Sequence, residues 1–297
     1  MHRMMIGAAA AALWLAAGAA MAQAPAAAPA APAADTALTL QPVKPGVFMV
    51  VGNGGNTTVV VGKDGLIVVD TKNPGPTAFP DLMDKIKAAS PLPVKDVIIT
   101  HHHADHSGNS AGFEAAGVPV IAHEGEKKAL ETYNPAGRAK PVAPTKTYAV
   151  SETVKIDGVT AEVHHFAAGH TAGDSIVYFP AQKLVSGGDE IVAVTPNVDY
   201  PFGGSVLGWL QSLDAIAKLD FDTVIPGHGP KPLTRAEFMA YKQKWETLVQ
   251  RGRAAVKAGV TEDKILAAIK VDDLGWTLNP SGWPPARLDP FYAELSK

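Results

Sequence analysis

The sequence has no cysteine among its 297 residues. Disulfide bonds, thiolate metal ligands and cysteine nucleophiles are therefore excluded, and any transition-metal site must use imidazole and carboxylate groups. An excess of one charge is also lacking, because the net charge is only -3. This balance, without a basic cluster, predicts no nucleic-acid partner and no polybasic attachment to lipid.

An apolar run stands near the beginning of the chain. A short basic start that includes Arg3 precedes apolar residues 4–20, and small residues follow at Ala22 and Ala24. This order is typical of a signal peptide that is cleaved after Ala22 or Ala24, and an uncleaved membrane anchor is the alternative. We therefore expect an exported protein, periplasmic or secreted, with no stable membrane insertion after the signal is removed.

The composition predicts four segments. An Ala/Pro-rich tract cannot build a core and is typical of a linker. The segments are a signal peptide over 1–24, this linker over 25–37, a folded domain over 38–232 and a C-terminal helical extension over 233–297 packed on the domain.

Apolar periodicity in the folded domain predicts alternating strands and helices. β-Branched runs predict strands at Val47–Val51 and Thr57–Val61, followed by a strand that ends at Asp70. A helix is predicted over 77–89, and a continuously apolar strand then leads directly to His101. Strand, helix and strand in this order favour a layered α+β domain.

The C-terminal region is expected to be helical and then irregular. Thr234 and Glu237 have the spacing of a capping box at the start of a long helix. A shorter helix is predicted over 262–270. The remaining tail contains Trp276, Trp283 and several prolines, so we expect it to pack irregularly on the body.

The segment Thr-His-His-His-Ala-Asp-His directly after an apolar strand is the main candidate for chemistry. In an extended segment His101 and His103 point the same way, while His102 points elsewhere, towards solvent or a supporting position. Once the chain turns, Asp105 and His106 can face a neighbouring point in space. This arrangement suits two metal ions side by side better than one.

Three later loops each offer one further ligand candidate. His170, Asp189 and His228 each follow a predicted strand and each adjoin glycine, which lets the backbone turn sharply. Ligands from several strand ends converge on one edge of a sheet. The remaining histidines, His123, His164 and His165, are expected in structural or pocket-rim positions.

The ordered set of these residues resembles the metallo-β-lactamase superfamily over roughly residues 47–230. Gly55-Asn56-Thr57-Thr58 and the strand that ends at Asp70 also resemble it. The resemblance implies a four-layer αβ/βα sandwich, in which two mixed sheets pack face to face, helices cover the outside and the metals lie at one edge.

The resemblance also implies two metal positions, most simply Zn²⁺, with iron or manganese permitted by the same ligands. The first ion would be held by His101, His103 and His170, the second by Asp105, His106 and His228, and Asp189 would bridge them. This pattern is that of glyoxalase II-like and lactonase-like members. Some true β-lactamases place a cysteine on the second metal, and others lack the bridging aspartate. Asp189 therefore counts against β-lactams as the main substrate and leaves weak β-lactamase activity open.

Two such ions about 3.5–4 Å apart can share a water and lower its pKa from about 15.7 towards 7. The hydroxide so formed would attack the substrate carbonyl, with Asp105 or Asp189 orienting it or relaying a proton. Asp70 and Thr171 are expected to fix ligand imidazoles from outside. Tyr200 and Phe202, in the loop after Asp189, are expected to contact substrate, and a plain surface loop is the alternative.

The sequence thus favours a metallohydrolase that acts on a cyclic or activated acyl bond of a small molecule: a β-lactam, a lactone or a thioester. One alternative is an iron-dependent redox enzyme of the same fold, acting on oxygen or persulfides. The others are a nuclease and a non-catalytic metal-binding protein. The substrate and the oligomeric state stay open.

Overall fold

The computed structural model describes residues 37–297, apart from the side chain of Ser281. The predicted signal peptide and nearly all of the linker lie outside the described residues, so the division into four segments stays a prediction. In the described part of the chain, no helix is both long and apolar enough to cross a membrane.

Two mixed sheets form the centre of the fold. The first sheet has seven strands in chain order, antiparallel from β1 to β4 and parallel from β4 to β7. These strands are β1 (Thr39–Lys44), β2 (Val47–Val51), β3 (Thr57–Val61), β4 (Leu66–Val69), β5 (Val94–Ile98), β6 (Val120–His123) and β7 (Lys146–Tyr148).

The second sheet has six strands in the order β13-β12-β11-β10-β9-β8. Only the β11–β12 pair is parallel. The strands are β8 (Ser151–Ile156), β9 (Val159–His164), β10 (Ile176–Phe179), β11 (Leu184–Ser186), β12 (Thr223–Ile225) and β13 (Leu233–Thr234).

Helices cover the outer face of each sheet. They are α1 (Ala78–Ala89), α2 (Ala104–Ser107), α3 (Ser110–Ala115), α4 (Glu124–Thr132), α5 (Val206–Ile216), α6 (Arg235–Lys257), α7 (Glu262–Ala268) and α8 (Pro285–Leu295). Short 3-10 turns lie at Gly188–Glu190, Tyr200–Phe202, Asp272–Leu274 and Pro280–Gly282.

Three apolar clusters separate these layers. The inward faces of the two sheets meet in a cluster that includes Val69, Ile98 and Phe179. A second cluster packs α1 and α3 on the outside of the first sheet, and a third packs α5 to α8 on the outside of the second sheet. Strand β4 is buried on both faces, which explains why it is continuously apolar rather than alternating. The four-layer αβ/βα sandwich predicted from the sequence is therefore confirmed.

The helical extension agrees with its sequence signals at one end and differs at the other. The Thr234 hydroxyl accepts a hydrogen bond from the Glu237 amide and the Glu237 carboxylate accepts one from the Thr234 amide, so the capping box forms. The predicted irregular tail is wrong, because α8 occupies Pro285–Leu295. Pro285 stands in the first turn, where no amide donor is needed, and burial of Phe291 and Leu295 offsets the bond lost at Pro290.

Candidate metal centre

The histidine-rich segment lies where β5 ends and α2 begins. Asp70, at the end of the neighbouring parallel strand β4, accepts hydrogen bonds from the amide and hydroxyl of Thr100, both at 2.8 Å. This contact holds the start of the turn against the sheet. The amides of His106 and Ser107 then donate to the carbonyl of His103, so the chain curls and presents successive side chains to one side.

The first ligand group, defined here as His101, His103 and His170, brings three ring nitrogens together. Nε2 of His101 lies 3.1 Å from Nδ1 of His103, and Nε2 of His170 lies 3.0 Å from the same atom. A tetrahedral zinc with nitrogen ligands at 2.0–2.1 Å separates those nitrogens by about 3.3 Å. The three nitrogens therefore have close to the spacing that a single zinc ion requires.

The second ligand group, defined here as Asp105, His106 and His228, lies beside the first. The Nε2 atoms of its two imidazoles face each other at 3.3 Å. Oδ2 of Asp105 lies 3.3 Å from Nε2 of His228 and 3.7 Å from Nε2 of His106. Within each of the two groups, taken separately, the ligand atoms all lie within 4.8 Å of one another.

Asp189 lies between the two groups. Its Oδ1 is 3.1 Å from Nε2 of His106 and 3.3 Å from Nε2 of His228, while Oδ2 is 3.7 Å from Nε2 of His170. Oδ1 is buried, yet it has no partner with hydrogen-bond geometry among the described residues. A cation coordinated by this oxygen and the two facing ring nitrogens would satisfy all three, so the side chains present fit a pair of metal ions.

Two glycines allow the ligands to approach the backbone. A β-carbon on Gly55 would lie 2.2 Å from the ring of His106, and one on Gly227 would lie 2.3 Å from Oδ1 of Asp189. Either contact would displace a ligand, because real β-carbons do not come so near to other atoms. The glycines beside the ligands thus leave room for side chains of other loops.

Nδ1 of His106, its outer nitrogen, does not face the other ligand candidates and contacts a residue at the end of strand β4. Oδ2 of Asp70 lies 2.8 Å from Nδ1 of His106, and Asp70 is only 1% exposed. Such carboxylate–imidazole contacts fix the ring and its tautomer. Asn56 supports the loop of His228 in a similar way, since its amide donates to the carbonyls of Pro226 and Gly229 at 3.0 and 2.9 Å.

The outer nitrogens of the first group are held by the loop after Asp189. Oδ2 of Asp199 lies 2.8 Å from Nε2 of His103, and Nδ1 of His170 donates to the carbonyl of Asn197 at 2.6 Å. Neither Asp199 nor Asn197 was predicted as a site residue from the sequence. Both stand in a loop without a regular pattern, and only its position directly after Asp189 pointed to a role beside the site.

The other predicted site residues occupy different surroundings. Thr171 makes hydroxyl contacts with Asp174 and Glu126, at 2.6 and 3.2 Å, and not with a ligand imidazole. The Tyr200 hydroxyl donates to Glu294 of α8. The Phe202 ring lies 4.6 Å from that of His102, next to the histidine-rich turn.

His102 is buried rather than facing solvent, and it is part of a support between two ligand loops. Its Nδ1 lies 2.8 Å from Oε2 of Glu126, whose other oxygen contacts Thr171 beside His170. Asp174 accepts hydrogen bonds from the amides of Gly169 and Thr171, on either side of that ligand. Burial, together with the nearby Glu126, raises the pKa of Asp174 to about 7.

The two groups differ in charge before any metal binds. Burial and the neighbouring imidazoles lower the pKa of His101, and burial lowers that of His170 to about 4. In the second group burial acts in the same direction, but the carboxylates around His106 outweigh it and raise its pKa well above the usual range. The nearby carboxylates of Asp105 and Asp189 likewise outweigh burial at His228 and raise its pKa to about 9.

Comparisons with known proteins agree with this architecture. The model of the metallo-beta-lactamase superfamily matches residues 50–228. The 2,4-dinitroanisole O-demethylase subunit alpha of Nocardioides sp. (strain JS1661) is 27% identical over 263 residues, which are 87% of this chain and 77% of that protein. Metallo-beta-lactamase IND-1 of Chryseobacterium indologenes is 28% identical over 176 residues, which are 58% of this chain and 71% of that protein.

A solved structure shares the fold. The metallo-beta-lactamase from Pontibacter korlensis superposes with a TM-score of 0.61 at 24% identity, covering 70% of this chain and 99% of that one. The family model spans more than half of the sequence, from β2 to the loop of the last ligand candidate. The chain therefore belongs to the metallo-beta-lactamase superfamily, whose histidine and aspartate clusters are suited to metal ions.

Proposed function

We propose that this chain is a metal-dependent hydrolase that cleaves a cyclic or activated acyl bond of a small molecule. The observation that carries the proposal is the position of Asp189, whose two oxygens face the two groups of ring nitrogens separately. A shared carboxylate of this kind suits two cations that act together on one carbonyl. We take zinc as the first candidate, because imidazole and carboxylate ligands without thiolate suit it.

The side chains would hold the ions as the two ligand groups and Asp189. When bound, the pair would polarise the substrate carbonyl and make a shared water acidic enough to react at neutral pH. His101 and His170 support this role, since their lowered pKa values leave them neutral and able to coordinate at neutral pH.

Asp105 is the candidate for handling the proton of the attacking water. Its pKa lies below the usual range because the nearby charge of His106 and the hydrogen bond from His228 outweigh burial, so the carboxylate is ionised. Its side chain is 24% exposed, against 15% for Asp189. We infer that Oδ2 of Asp105 accepts a hydrogen bond from the water and orients it towards the carbonyl.

A second candidate is the cleavage of an activated aryl ether. The relative named as a 2,4-dinitroanisole O-demethylase subunit aligns with 87% of this chain, whereas the lactamase relative aligns with 58%. The longer match must include part of the C-terminal extension. An electron-poor aromatic carbon, like a carbonyl carbon, is attacked by an activated water, so the same centre would serve.

A substrate panel with defined metal content tests both candidates. Protein loaded with zinc or iron would be assayed on β-lactams, lactones, thioesters, phosphodiesters and a nitro-substituted anisole, with Asp105→Ala as the control. We expect turnover of at least one acyl substrate that chelation abolishes and zinc restores. Turnover of the anisole alone would select the second candidate. Hydrolysis that survives complete metal removal would refute both.

The same panel addresses the remaining alternatives. Iron retained in protein purified without added metal, with turnover that depends on oxygen, would favour a redox enzyme. Cleavage of phosphodiesters would favour a nuclease, and tight metal binding without any turnover would favour a binding protein. We further propose that the protein is exported and acts on a small molecule, as the leader pattern in residues 1–24 and the net charge of -3 support.

A further inference from the structure

Helix α8 contacts the loop that supports the metal centre, although it lies beyond the region that the superfamily model matches. We propose that α8 positions the first ligand group and that Arg287 is the residue through which it does so. The proposal rests on the metal centre proposed above. Through Arg287, this helix sets the affinity with which His101, His103 and His170 bind their ion.

Arg287 contacts the loop that holds both outer nitrogens of the first group. Its Nη1 donates to Oδ1 of Asn197 at 2.7 Å, and its Nη2 lies 3.7 Å from Oδ1 of Asp199. The planar guanidinium therefore spans two residues of one loop. An arginine can hold both at once because its donors form a rigid fork.

Those two loop residues in turn hold the ligands. The carbonyl of Asn197 accepts from His170, and the carboxylate of Asp199 faces His103, at 2.6 and 2.8 Å. The amide of Asp199 also donates to the carbonyl of His170 at 2.8 Å. A single shift of this loop would therefore turn two of the three imidazoles in the first group.

A second residue of α8 holds the far end of the same loop. The Glu294 carboxylate accepts from the Tyr200 hydroxyl at 2.8 Å and from the Val206 amide at 2.9 Å, and it also accepts from the Ser205 hydroxyl. Arg287 and Glu294 thus fasten the loop at two points along one helix. The helix itself is anchored by Phe291, which is 1% exposed.

Arg287 also places a positive charge near the carboxylate of Asp199. Asp199 has a side chain that is only 8% exposed, so its carboxylate needs partners. Removing Arg287 would take its guanidinium, 3.7 Å from Oδ1 of Asp199, away from that buried carboxylate.

The second ligand group makes no such use of α8. His106 is held by Asp70 from the first sheet, and the loop of His228 is held by Asn56. The effect of Arg287 should therefore be confined to one ion. This selectivity separates a positioning role from a general loss of stability.

The experiment measures zinc affinity in two backgrounds that each keep a single ion. His228→Ala disables the second group and His103→Ala disables the first, and the zinc dissociation constant is then obtained by competition with a chromogenic chelator. Adding Arg287→Ala should weaken zinc binding about tenfold in the His228→Ala protein, since outer contacts to ligands are worth 10–100-fold. In the His103→Ala protein the change should stay below about twofold.

Two further variants keep the result interpretable. Arg251 is another arginine of the extension and forms a bidentate ion pair with Asp273. Arg251→Ala should leave zinc binding unchanged in both backgrounds. Arg287→Lys keeps the charge but not the fork, so it should weaken the first ion by an intermediate factor. It also decides the question if Arg287→Ala does not fold.

The outcomes separate the two proposals. If neither single-ion protein binds zinc, the metal centre itself is wrong. If both bind zinc and neither Arg287 variant changes the dissociation constant in the His228→Ala background, only the role of α8 is refuted. Equal weakening in both backgrounds would also refute it, because a merely structural contact would affect both ions.

Discussion

The two ligand groups lie side by side but depend on different parts of the molecule. The outer nitrogen of His106 contacts Asp70, at the end of a strand buried on both faces. The outer nitrogens of His103 and His170 contact the loop at 197–199, which is fastened to α8. The second group is thus supported by the sheet, and the first by a loop and a helix from the C-terminal extension.

The groups also differ in what an incoming cation must displace. At neutral pH the first group contains neutral His101 and His170, whereas His106 and His228 in the second group are protonated. A protonated imidazole cannot coordinate, so metal binding must release its proton. In the first group two of the three imidazoles are therefore already neutral, whereas in the second group both imidazoles must lose a proton before they coordinate.

The largest expected effect comes from removing the residue that the two groups share. Asp189→Ala should lower kcat/KM at least about a thousandfold, because coordination by two cations supplies several kcal/mol of transition-state stabilisation. Bound metal per chain should fall as well, measured by elemental analysis. Asp220→Ala, at an exposed carboxylate, is the control. Retention of two tightly bound ions by Asp189→Ala would show that the groups are independent.

The next effect separates the supports of the two groups. Asp199→Asn should weaken the first ion and Asp70→Asn the second, each by roughly 10–100-fold. Zinc competition in the His228→Ala and His103→Ala backgrounds would assign each loss to one ion. If both substitutions weakened the same ion, the division between loop and sheet would be wrong.

The dependence on pH should differ between the ions. Since the pKa of His228 is about 9 and that of His106 is also raised, the second ion should displace more protons at pH 7.5 than the first. Its apparent affinity should rise as pH rises towards 9. The first ion should displace fewer protons, because the pKa values of His101 and His170 are lowered and only that of His103 is raised, by its hydrogen bond to Asp199. Calorimetry in buffers of different ionisation enthalpy counts the protons, and equal counts would contradict the comparison.

The smallest effect concerns the loop of the second group. Asn56→Ala removes the side-chain hydrogen bonds to one buried and one partly buried carbonyl and should lower the free energy of unfolding by about 1–3 kcal/mol. Denaturant unfolding of the metal-free protein measures it, with the exposed Asn134→Ala as the matched control. An unchanged unfolding midpoint would mean that this loop does not need Asn56.

Local sequence signals were sufficient for several strands and for where the ligand candidates stand, whereas the four-layer arrangement was expected from the family resemblance. The strands at Val47–Val51 and Thr57–Val61 have the predicted bounds, because β-branched runs bounded by turns leave few other conformations. His101, His170, Asp189 and His228 follow strands or occupy loops between them, and the packing of the two sheets brings those loops together.

The supporting residues could not be predicted in the same way. Asp199, Glu126 and Arg287 act through contacts between distant segments, and none of them belongs to a pattern with fixed spacing. The helix that carries Arg287 was hidden by its prolines, which are ordinarily helix breakers. Its stability depends on burial against α6 and α7, which local propensity does not contain.

The attachment of the 197–199 loop to α8 has a consequence for how the protein matures. The ribosome makes the histidine-rich turn early and α8 much later. The 197–199 loop therefore gains its contacts with Arg287 only after α8 has been synthesised and has docked. A protease that cut the segment between α7 and α8 would leave both sheets intact. If α8 then dissociated, the 197–199 loop would lose its contacts with Arg287, and the support of His103 and His170 would weaken although no ligand candidate had been altered.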